Sequence, residues 1–491
     1  MDKDELDYNK IGLKCGLEIH QQLDTTKLFC SCPSILRKEE PDFIVRRKLH
    51  AVAGEEGKVD VSAAYEASQE KKFEYQGYDT TCLVELDEEP PHTLNKDALQ
   101  TAIHIALLLN AQIIPITQIM RKTVIDGSNT SGFQRTAIIA RDGFVETSFG
   151  KVRIDTICLE EDSARIVSRQ TGEKGNISIF RLDRLGIPLV EIATAPDILS
   201  PEQAKETALL IGGILRTCKV RRGIGTIRQD INISIKPGRE RSRRVELKGF
   251  QDPKIMIKTV EIEIARQKKI LAEGKMNENE VRNVLPNGES EFLRPMPGAA
   301  RMYPETDLPI LKISRDDLNE AKKTIPKSSL ELEKELAKKG LNNDMIKMLL
   351  KEGKMEDFKE LLDVLDNPSL VAKMILMYTK EIEAKNKIAP EKIDEMFNKD
   401  VIAEILENVK KGKIPESDAK DVMARIASGE SLEKALTHEK QDINQVENLI
   451  IRLLKEKPGL SLNAYMGMAL KELNGKANGK EVMEIIRKHI K

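Results

Sequence analysis

A glutamate and a histidine stand two positions apart near the start of the chain, in the segment KCGLEIHQQ. Apolar and polar residues alternate through this segment, which is the period-2 pattern of a half-buried strand. Glu18 and His20 therefore share one face, roughly 6.5 to 7 Å apart along the strand. A carboxylate and an imidazole at that spacing can converge on one metal ion, although an isolated pair of this kind more often faces water. Other polar segments must decide between these two interpretations.

Three acids follow one another at the end of a second predicted strand, in CLEEDSARI. Glu160, Glu161 and Asp162 repel one another when all three are ionised. Such a group is either freely solvated or held in its ionised form by a cation. The end of this strand is therefore a second candidate cation site.

Two further segments, TIRQDINISI and RRVELKG, also place polar residues on one face of a strand. Alternation gives that face the following residues: Arg228, Asp230, Asn232, Ser234, Arg244, Glu246 and Lys248. Each strand taken singly is typical of an exposed face with ion pairs. Several such strands in one domain favour a site instead, because so polar a face is costly as a core. Its oxygen-rich donors suit Mg²⁺, which binds a few carboxylates together with water and substrate phosphates.

No glycine-rich phosphate loop accompanies these strands. The nearest string, GKANGK at 475–480, is one residue short of a Walker A motif and precedes Glu481 instead of Ser or Thr. The sequence also shows no local signature of an amidase or papain-type nucleophile. Any nucleotide site must therefore be built differently, and ammonia, if the reaction uses it, must come from another chain.

The six cysteines are sparse and include one closely spaced pair. Cys30 and Cys32 could join Cys82 as three ligands of a structural zinc ion, with His92 as a fourth. A C-x-C pair without a second tight pair supports zinc weakly, so we expect reduced cysteines and an incomplete ligand set. Few cysteines in a long chain also argue against a disulfide framework and for a reducing compartment.

Length and composition narrow the class of protein. A chain of 491 residues is too long for one core and should form two to four domains. Lys and Arg number 79 against 80 Asp and Glu, so a global basic signature for nucleic acid is absent. No apolar run reaches the length of about 18 residues that spans a bilayer, and the N-terminus is too polar for a signal peptide. We therefore expect a cytoplasmic protein with no membrane partner.

The sequence patterns predict three domains. Short β-like runs and two helical patterns, one opened by Ser200-Pro201-Glu202, indicate an α+β domain with a mainly antiparallel sheet over 1–312. Amphipathic patterns rich in Leu, Lys and Glu indicate an all-α helical domain over 313–390 and a helical tail over 391–491. From Ile451 the tail carries nine basic residues against four acidic ones, which fits RNA binding and a solvated helical face about equally.

Seven segments, in order, resemble the B and E subunits of tRNA-dependent amidotransferases, and their residues are most similar to the archaeal E type. These segments are GLEIHQQLDTTKLFCSC, RKTVIDGSNTSGFQRT, LEEDSARI, DRLGIPLVEIATAPDI, RQDINISI, VELKGFQD and RPMPGAARMYPETDLP. The tail is similar to the YqeY-type helical tail of the same family. The resemblance thus covers nearly the whole chain.

The resemblance implies an activity for the first domain, which the family calls the cradle. In the family this domain binds ATP and Mg²⁺ and phosphorylates the side-chain carboxylate of glutamate misacylated onto tRNA(Gln). Ammonia then displaces phosphate to give Gln-tRNA(Gln). An asparaginase-like D-type partner supplies the ammonia in the archaeal enzyme, and the helical domain and tail grip the tRNA.

The resemblance also implies roles for single residues. Glu18, His20 and Glu161 match the Mg²⁺ ligands of the family. Further acids that match the same pocket are Glu191, Asp230 and Glu246. Charge and motif position suggest that Arg228, Lys248 or Arg301 supplies a cation for the phosphoryl oxygens, and Asn232 lies beside them on the predicted nucleotide-binding face.

One departure from the family leaves alternatives open. The E type normally carries an inserted domain where this chain has only the short interval from Ala265 to Phe292. The layout is therefore B-like, and A-type and C-type partners are an alternative to the D-type partner. Dual specificity for Asp-tRNA(Asn) and Glu-tRNA(Gln) is an alternative activity. A non-catalytic tRNA-binding scaffold and a zinc hydrolase that uses Glu18, His20 and the cysteines are rival functions.

Overall fold

The chain forms two compact units, Met1–Lys334 and Glu335–Lys491. The structure is a computed structural model that describes residues 7–54, 57–172, 175–223, 225–250, 255–327, 329–352, 354–436, 443–472 and 479–489. The division into three domains that we predicted from composition stays a prediction.

Seventeen strands lie in the described part of the first unit. They are β1 (Lys14–Gln22), β2 (Phe43–Arg47), β3 (Lys72–Gly77), β4 (Gln112–Ile113), β5 (Ile116–Thr117), β6 (Met120–Thr123), β7 (Phe133–Thr147), β8 (Gly150–Glu161), β9 (Arg165–Gly172), β10 (Gly175–Arg181), β11 (Pro188–Thr194), β12 (Ile227–Ser234), β13 (Val245–Phe250), β14 (Glu280–Val284), β15 (Ser290–Pro295), β16 (Met302–Pro304) and β17 (Leu311–Lys312). The strand predicted for KCGLEIHQQ is confirmed as β1.

An eleven-stranded sheet organises this unit. Its order is β15-β14-β13-β12-β1-β11-β8-β7-β6-β16, and β4 pairs with β7. Every pair of neighbours in this sheet is antiparallel except β13 and β14. The prediction of a mainly antiparallel sheet is therefore confirmed.

A four-stranded sheet of order β2-β3-β10-β9 adjoins the acidic end of β8, and β5 and β17 form a separate two-stranded sheet. Strand β9 begins soon after the acids of β8, and β10 returns the chain to the main sheet at β11. Phe73, Tyr75 and Phe180 are buried in the core of the four-stranded sheet. The segment FRLDRLGIPLVEI, which reads as one β-like run, is thus divided by a turn over 182–187.

Helices cover one face of the large sheet. Those of the first unit are α1 (Tyr8–Ile11), α2 (Val61–Ser68), α3 (Lys96–Leu108), α4 (Pro201–Leu215), α5 (Met256–Ala272) and α6 (Arg315–Thr324), with a 3₁₀ turn at Ala299–Arg301. The predicted start of α4 is confirmed, because the Ser200 hydroxyl accepts a hydrogen bond from the Gln203 backbone N–H at 3.2 Å. Helices α3, α4 and α5 pack on the strands and bury their apolar sides in one core. The opposite, polar face of the same strands is therefore not needed for this core and can form a binding site.

The rest of the described chain is helical. It contains α7 (Ser329–Lys338), α8 (Asn343–Glu352), α9 (Met355–Val364), α10 (Pro368–Ala372), a π-helix (Lys373–Tyr378), α11 (Thr379–Asn386), α12 (Pro390–Met396), α13 (Lys399–Lys410), a 3₁₀ turn (Glu416–Asp418), α14 (Ala419–Ala427), α15 (Leu432–Leu436), α16 (Ile443–Glu456), α17 (Leu462–Glu472) and α18 (Gly479–His489). The predicted fold class, an α+β domain followed by an all-α region, is confirmed. Two basic residues of the tail, Lys476 and Lys491, lie outside the described residues. No helix in the described ranges has the length and apolarity that crossing a membrane requires.

Candidate active site

Five adjacent strands, β8, β11, β1, β12 and β13, bring the predicted polar residues onto one face. Cross-strand pairing sets three pairs of residues opposite each other: His20 and Glu191, Glu18 and Asp230, and Asn232 and Glu246. Because residues two apart on a strand share a face, all six side chains point to the same side of the sheet. The expectation that these strands contribute to one polar face agrees with the pairing.

His20, Glu160 and Glu191 form a first group of donors, called the His20 set below, whose ligand atoms all lie within 4.8 Å of one another. His20 Nε2 lies 3.3 Å from Glu191 Oε2. Lys122 Nζ lies 2.5 Å from Glu160 Oε1 and 3.2 Å from Glu191 Oε2. Burial alone would raise the pKa of Glu191, but the charges of Lys122 and His20 hold it well below its usual value. Burial and the charge of Glu191 raise the pKa of Glu160.

Glu18, Asp230 and Glu246 form a second group, called the Glu18 set, with ligand atoms also within 4.8 Å of one another. Lys248 Nζ lies 2.9 Å from Asp230 Oδ2 and 2.7 Å from Glu246 Oε1. Asn232 donates a hydrogen bond of 2.9 Å from Nδ2 to Glu18 Oε1. Burial and the charge of Glu246 raise the pKa of Glu18. Burial would raise the pKa of Asp230 too, but Lys248 lowers it below its usual value.

Both sets fit a divalent cation. Carboxylate oxygens are the donors that Mg²⁺ and Mn²⁺ prefer, and a single imidazole among them is compatible with either ion. Beside each set, one lysine ammonium lies between two of its carboxylates and balances part of their charge. The face can therefore hold positive charge in two positions next to each other.

Glu161 lies on the other side of the sheet from the His20 set. Adjacent residues of β8 point to opposite faces, so Glu160 joins His20 whereas Glu161 meets Arg135. Arg135 Nη1 lies 3.1 Å from Glu161 Oε1, and Arg135 Nε lies 2.8 Å from Glu305 Oε2. Burial would lower the pKa of Arg135, but Glu161 and Glu305 raise it. The structure thus brings Glu18 and His20 to the polar face but not Glu161, the third ligand that the resemblance implies.

The remaining predicted cations lie around the polar face. Arg228 Nη2 contacts the fully buried Asp162 at 2.9 Å from Oδ1, so this guanidinium is held at the edge of the face. Arg301 ends the 3₁₀ turn near Lys122. Burial and the charge of Arg301 act to lower the pKa of Lys122. The charges of Glu160 and Glu191 outweigh them and raise this pKa above its usual value. Lys248 thus lies between two acids of the Glu18 set, whereas Arg228 and Arg301 act on the His20 set through the charges of Glu160 and Lys122.

Comparison with known proteins identifies the family. A model of the GatB/GatE catalytic domain matches residues 13–319, which includes both donor sets. The chain belongs to the GatB/GatE family. The expectation drawn from the seven segments is thus confirmed.

Relatives in this family match the chain along most of its length. The E-type component of the glutamyl-tRNA(Gln) amidotransferase of Methanocaldococcus jannaschii is 35% identical over 640 positions, which cover 99% of this chain and 100% of the relative. Proteins of the same name from Methanothermobacter thermautotrophicus and Pyrobaculum arsenaticum are each 33% identical and cover 86% and 84% of this chain and 87% and 91% of their own length. Since the first comparison spans 640 positions and the chain has 491 residues, at least 149 positions (640 less 491) lie opposite gaps in this chain.

Sequence reasoning did not assign a ligand role to Glu160, and it missed Lys122, which lies beside the His20 set. The sequence places Glu160 in a candidate cation site with Glu161 and Asp162 but does not single it out as a ligand. Period-2 alternation along β8 separates it from Glu161 and groups it with Cys158 on the polar face. Lys122 gives no signal that alternation could use, because it lies on β6 and reaches two other strands across the sheet. Only the order of strands reveals its place.

The cysteines predicted as an incomplete zinc set lie together beside another residue. Cys30, Cys32 and Cys82 have their sulfur atoms within 4.8 Å of one another and of a Glu85 carboxylate oxygen. Glu85 also accepts a hydrogen bond from the Cys82 backbone N–H at 2.7 Å and pairs with the buried Lys27 at 3.2 Å. His92, the fourth ligand considered from sequence, instead contacts Glu89 at 3.0 Å. The expectation that the chain holds no structural zinc stays a prediction. The structure changes only the fourth donor near the three cysteines, which is Glu85 and not His92.

Proposed function

We propose that this chain is the component of a glutamyl-tRNA(Gln) amidotransferase that activates and amidates the glutamyl side chain. The carboxylate of glutamate misacylated onto tRNA(Gln) attacks the terminal phosphorus of ATP, and ADP leaves. Ammonia then attacks the carbonyl carbon of the acyl phosphate, and phosphate leaves with Gln-tRNA(Gln) as product. The observation that carries this proposal is the polar face with two sets of three donors, in a chain whose relatives bear that name.

The residues of the polar face have complementary tasks in this proposal. Glu18, His20, Glu160, Glu191, Asp230 and Glu246 would hold Mg²⁺, which supplies positive charge for the phosphoryl oxygens. Lys248, Arg228 and Arg301 would bind the remaining negative charge of the nucleotide, and Asn232 would fix the orientation of Glu18. Glu161 as a metal ligand stays a prediction from the resemblance, and we assign that place to Glu160 because it shares the face of His20.

The acyl phosphate restricts how ammonia arrives. This intermediate reacts with water, so the site must exclude solvent and receive ammonia by a protected route. We infer that a partner releases the ammonia, either an asparaginase-like D-type protein or, alternatively, A-type and C-type partners. We place the enzyme in the cytoplasm, where aminoacyl-tRNA is made, and all six cysteines are free, as a reducing compartment requires.

The direct test measures amide formation by the purified chain with ATP, Mg²⁺ and free ammonium. The substrates are Glu-tRNA(Gln) and, separately, Asp-tRNA(Asn). Product on Glu-tRNA(Gln) alone supports the proposed function with the specificity that the names of its relatives state. Product on both substrates supports the dual-specificity alternative. Absence of product on either, with the D-type partner added and with the A-type and C-type partners added, would contradict the proposal and favour the scaffold.

A further inference from the structure

Lys122 occupies the place between two carboxylates that a metal ion would take. Its ammonium contacts Glu160 at 2.5 Å and Glu191 at 3.2 Å, and its side chain is only 11% exposed. Lys122 lies on β6 and extends past β7 to reach β8 and β11. A long side chain that enters from a distance can withdraw without any movement of the strands that carry the acids.

Few groups of the protein other than Lys122 balance the charge of the Glu160 and Glu191 carboxylates. Within the described ranges, Lys122 and His20 are the only side chains at ion-pair distance from Glu160 or Glu191. No hydrogen bond from a backbone N–H reaches either carboxylate among these residues, and each keeps an oxygen for another ligand. The His20 set therefore lacks fixed protein donors that would make it complete without a cation.

The Glu18 set differs in this respect. Asp230 accepts a hydrogen bond from Lys248 at Oδ2 and one of 3.3 Å from the Gly249 backbone N–H at Oδ1. Glu18 accepts a hydrogen bond from Asn232. Fixed groups of the protein thus satisfy part of this set, and its lysine projects from β13, which carries Glu246 and neighbours the strand of Asp230.

We propose that Lys122 is an exchangeable counter-ion of the His20 set. A divalent cation that binds Glu160 and Glu191 displaces the ammonium, because both cations need the same oxygens and repel each other at that separation. The released ammonium is then free to bind an anionic oxygen of the phosphoryl group, and this last part rests on the proposed function. The exchange keeps the buried Glu160 and the half-buried Glu191 charge-balanced both before and after the ion arrives.

The first experiment titrates Mn²⁺ into the full chain and into Lys122→Met, with binding followed by electron paramagnetic resonance at pH 8.5. A high pH limits competition from protons for the two carboxylates. Removal of the competing ammonium should lower the Kd for Mn²⁺ about tenfold. The matched control, Lys248→Met, should change the Kd much less. Equal or weaker binding by Lys122→Met, or a larger gain in Lys248→Met, would overturn the proposal.

A second experiment needs no variant and therefore decides the matter even if Lys122→Met does not fold. The wild-type chain is reductively methylated with and without Mn²⁺, and the extent of labelling at Lys122 is read by mass spectrometry. We expect labelling of Lys122 to increase several-fold with the ion, while labelling of Lys248 in the same digest stays nearly constant. Lys122 that remains unlabelled at saturating Mn²⁺ would overturn the proposal. Neither experiment uses tRNA, so failure of amide formation would refute the proposed function and leave the exchange standing.

Discussion

Glu160 and Glu161 are neighbours in one strand, yet they lie in opposite surroundings. Glu160 meets a single flexible ammonium and keeps room for another ligand. Glu161 is bound by Arg135 through both its side chain and its backbone N–H, and Arg135 is held in turn by Glu305. The comparison teaches that the pleat of a strand separates an acid suited to ligands from an acid suited to structure, within one acidic motif.

The largest effect should come from Glu191, the acid that contacts both His20 and Lys122. Glu191→Gln removes the carboxylate that contacts both His20 and Lys122 and that would help to hold Mg²⁺. The negative charge that develops on the phosphoryl oxygens in the transition state is then stabilised less. We expect the rate of amide formation with free ammonium to fall about 1,000-fold, with little change in the Kd for Glu-tRNA(Gln). A variant that forms the amide at the wild-type rate would remove the polar face from the chemistry.

On the opposite face of the sheet, loss of the Glu161 charge should lower the stability of the fold. Glu161→Gln leaves the buried Arg135 with one carboxylate partner instead of two, and we expect the free energy of unfolding to fall by about 3 kcal/mol. Urea unfolding followed by circular dichroism measures this loss, and Glu160→Gln is the matched variant. A smaller loss in Glu161→Gln than in Glu160→Gln would reverse the comparison.

The third acid of the motif should behave like Glu161. Burial would raise the pKa of Asp162, but Arg228 and Arg184 lower it, so the folded state binds this proton less readily than the unfolded state. Its contribution to stability is therefore present above the ordinary Asp pKa of about 3.9 and is lost as the pH falls through the lowered value. We expect Asp162→Asn to cost about 2 kcal/mol at neutral pH and less at acid pH.

Urea unfolding of the wild type and Asp162→Asn at pH 7 and pH 3 tests this expectation. The difference in unfolding free energy between the two proteins should narrow at the lower pH. A difference that widens there would mean that Asp162 is not held in its ionised form.

The smallest effect should come from a control variant far from the polar face, which shows how much a loss of stability alone changes the rate of amide formation. Ser200→Ala removes the N-terminal cap of α4 and should lower the free energy of unfolding by about 1 kcal/mol. Because α4 lies on the apolar side of the sheet, amide formation at 25 °C should stay at the wild-type rate. A fall in that rate would show that modest destabilisation alone disturbs the polar face, and the effects of the other variants would need correction for it.

Local patterns predicted the elements of this protein well. Period-2 alternation gave β1 and the polar faces of β12 and β13, and Ser200-Pro201-Glu202 gave the start of α4, because each depends on neighbours in sequence. Alternation also contained the separation of Glu160 from Glu161, although the family resemblance drew attention to Glu161 instead.

Residues that reach the site across the sheet could not be predicted in this way. Lys122 joins Glu160 and Glu191 only because β6, β7, β8 and β11 are neighbours, and strand order is set by the packing of the whole domain. Glu85 follows Cys82 by three residues and contacts its backbone locally, but it meets Cys30 and Cys32 only through the tertiary fold. Tertiary contacts of this kind depend on reach and register, which a single sequence does not state.

The most direct test of the account compares the Mn²⁺ affinity of Glu160→Gln with that of Glu161→Gln in the full chain. The structure predicts that Glu160→Gln raises the Kd at least about tenfold, since a charged ligand is lost. Glu161→Gln should bind Mn²⁺ nearly as the wild type does, although it unfolds more easily. Loss of Mn²⁺ binding in folded Glu161→Gln, with Glu160→Gln unaffected, would contradict the assignment of the ion to the face of His20.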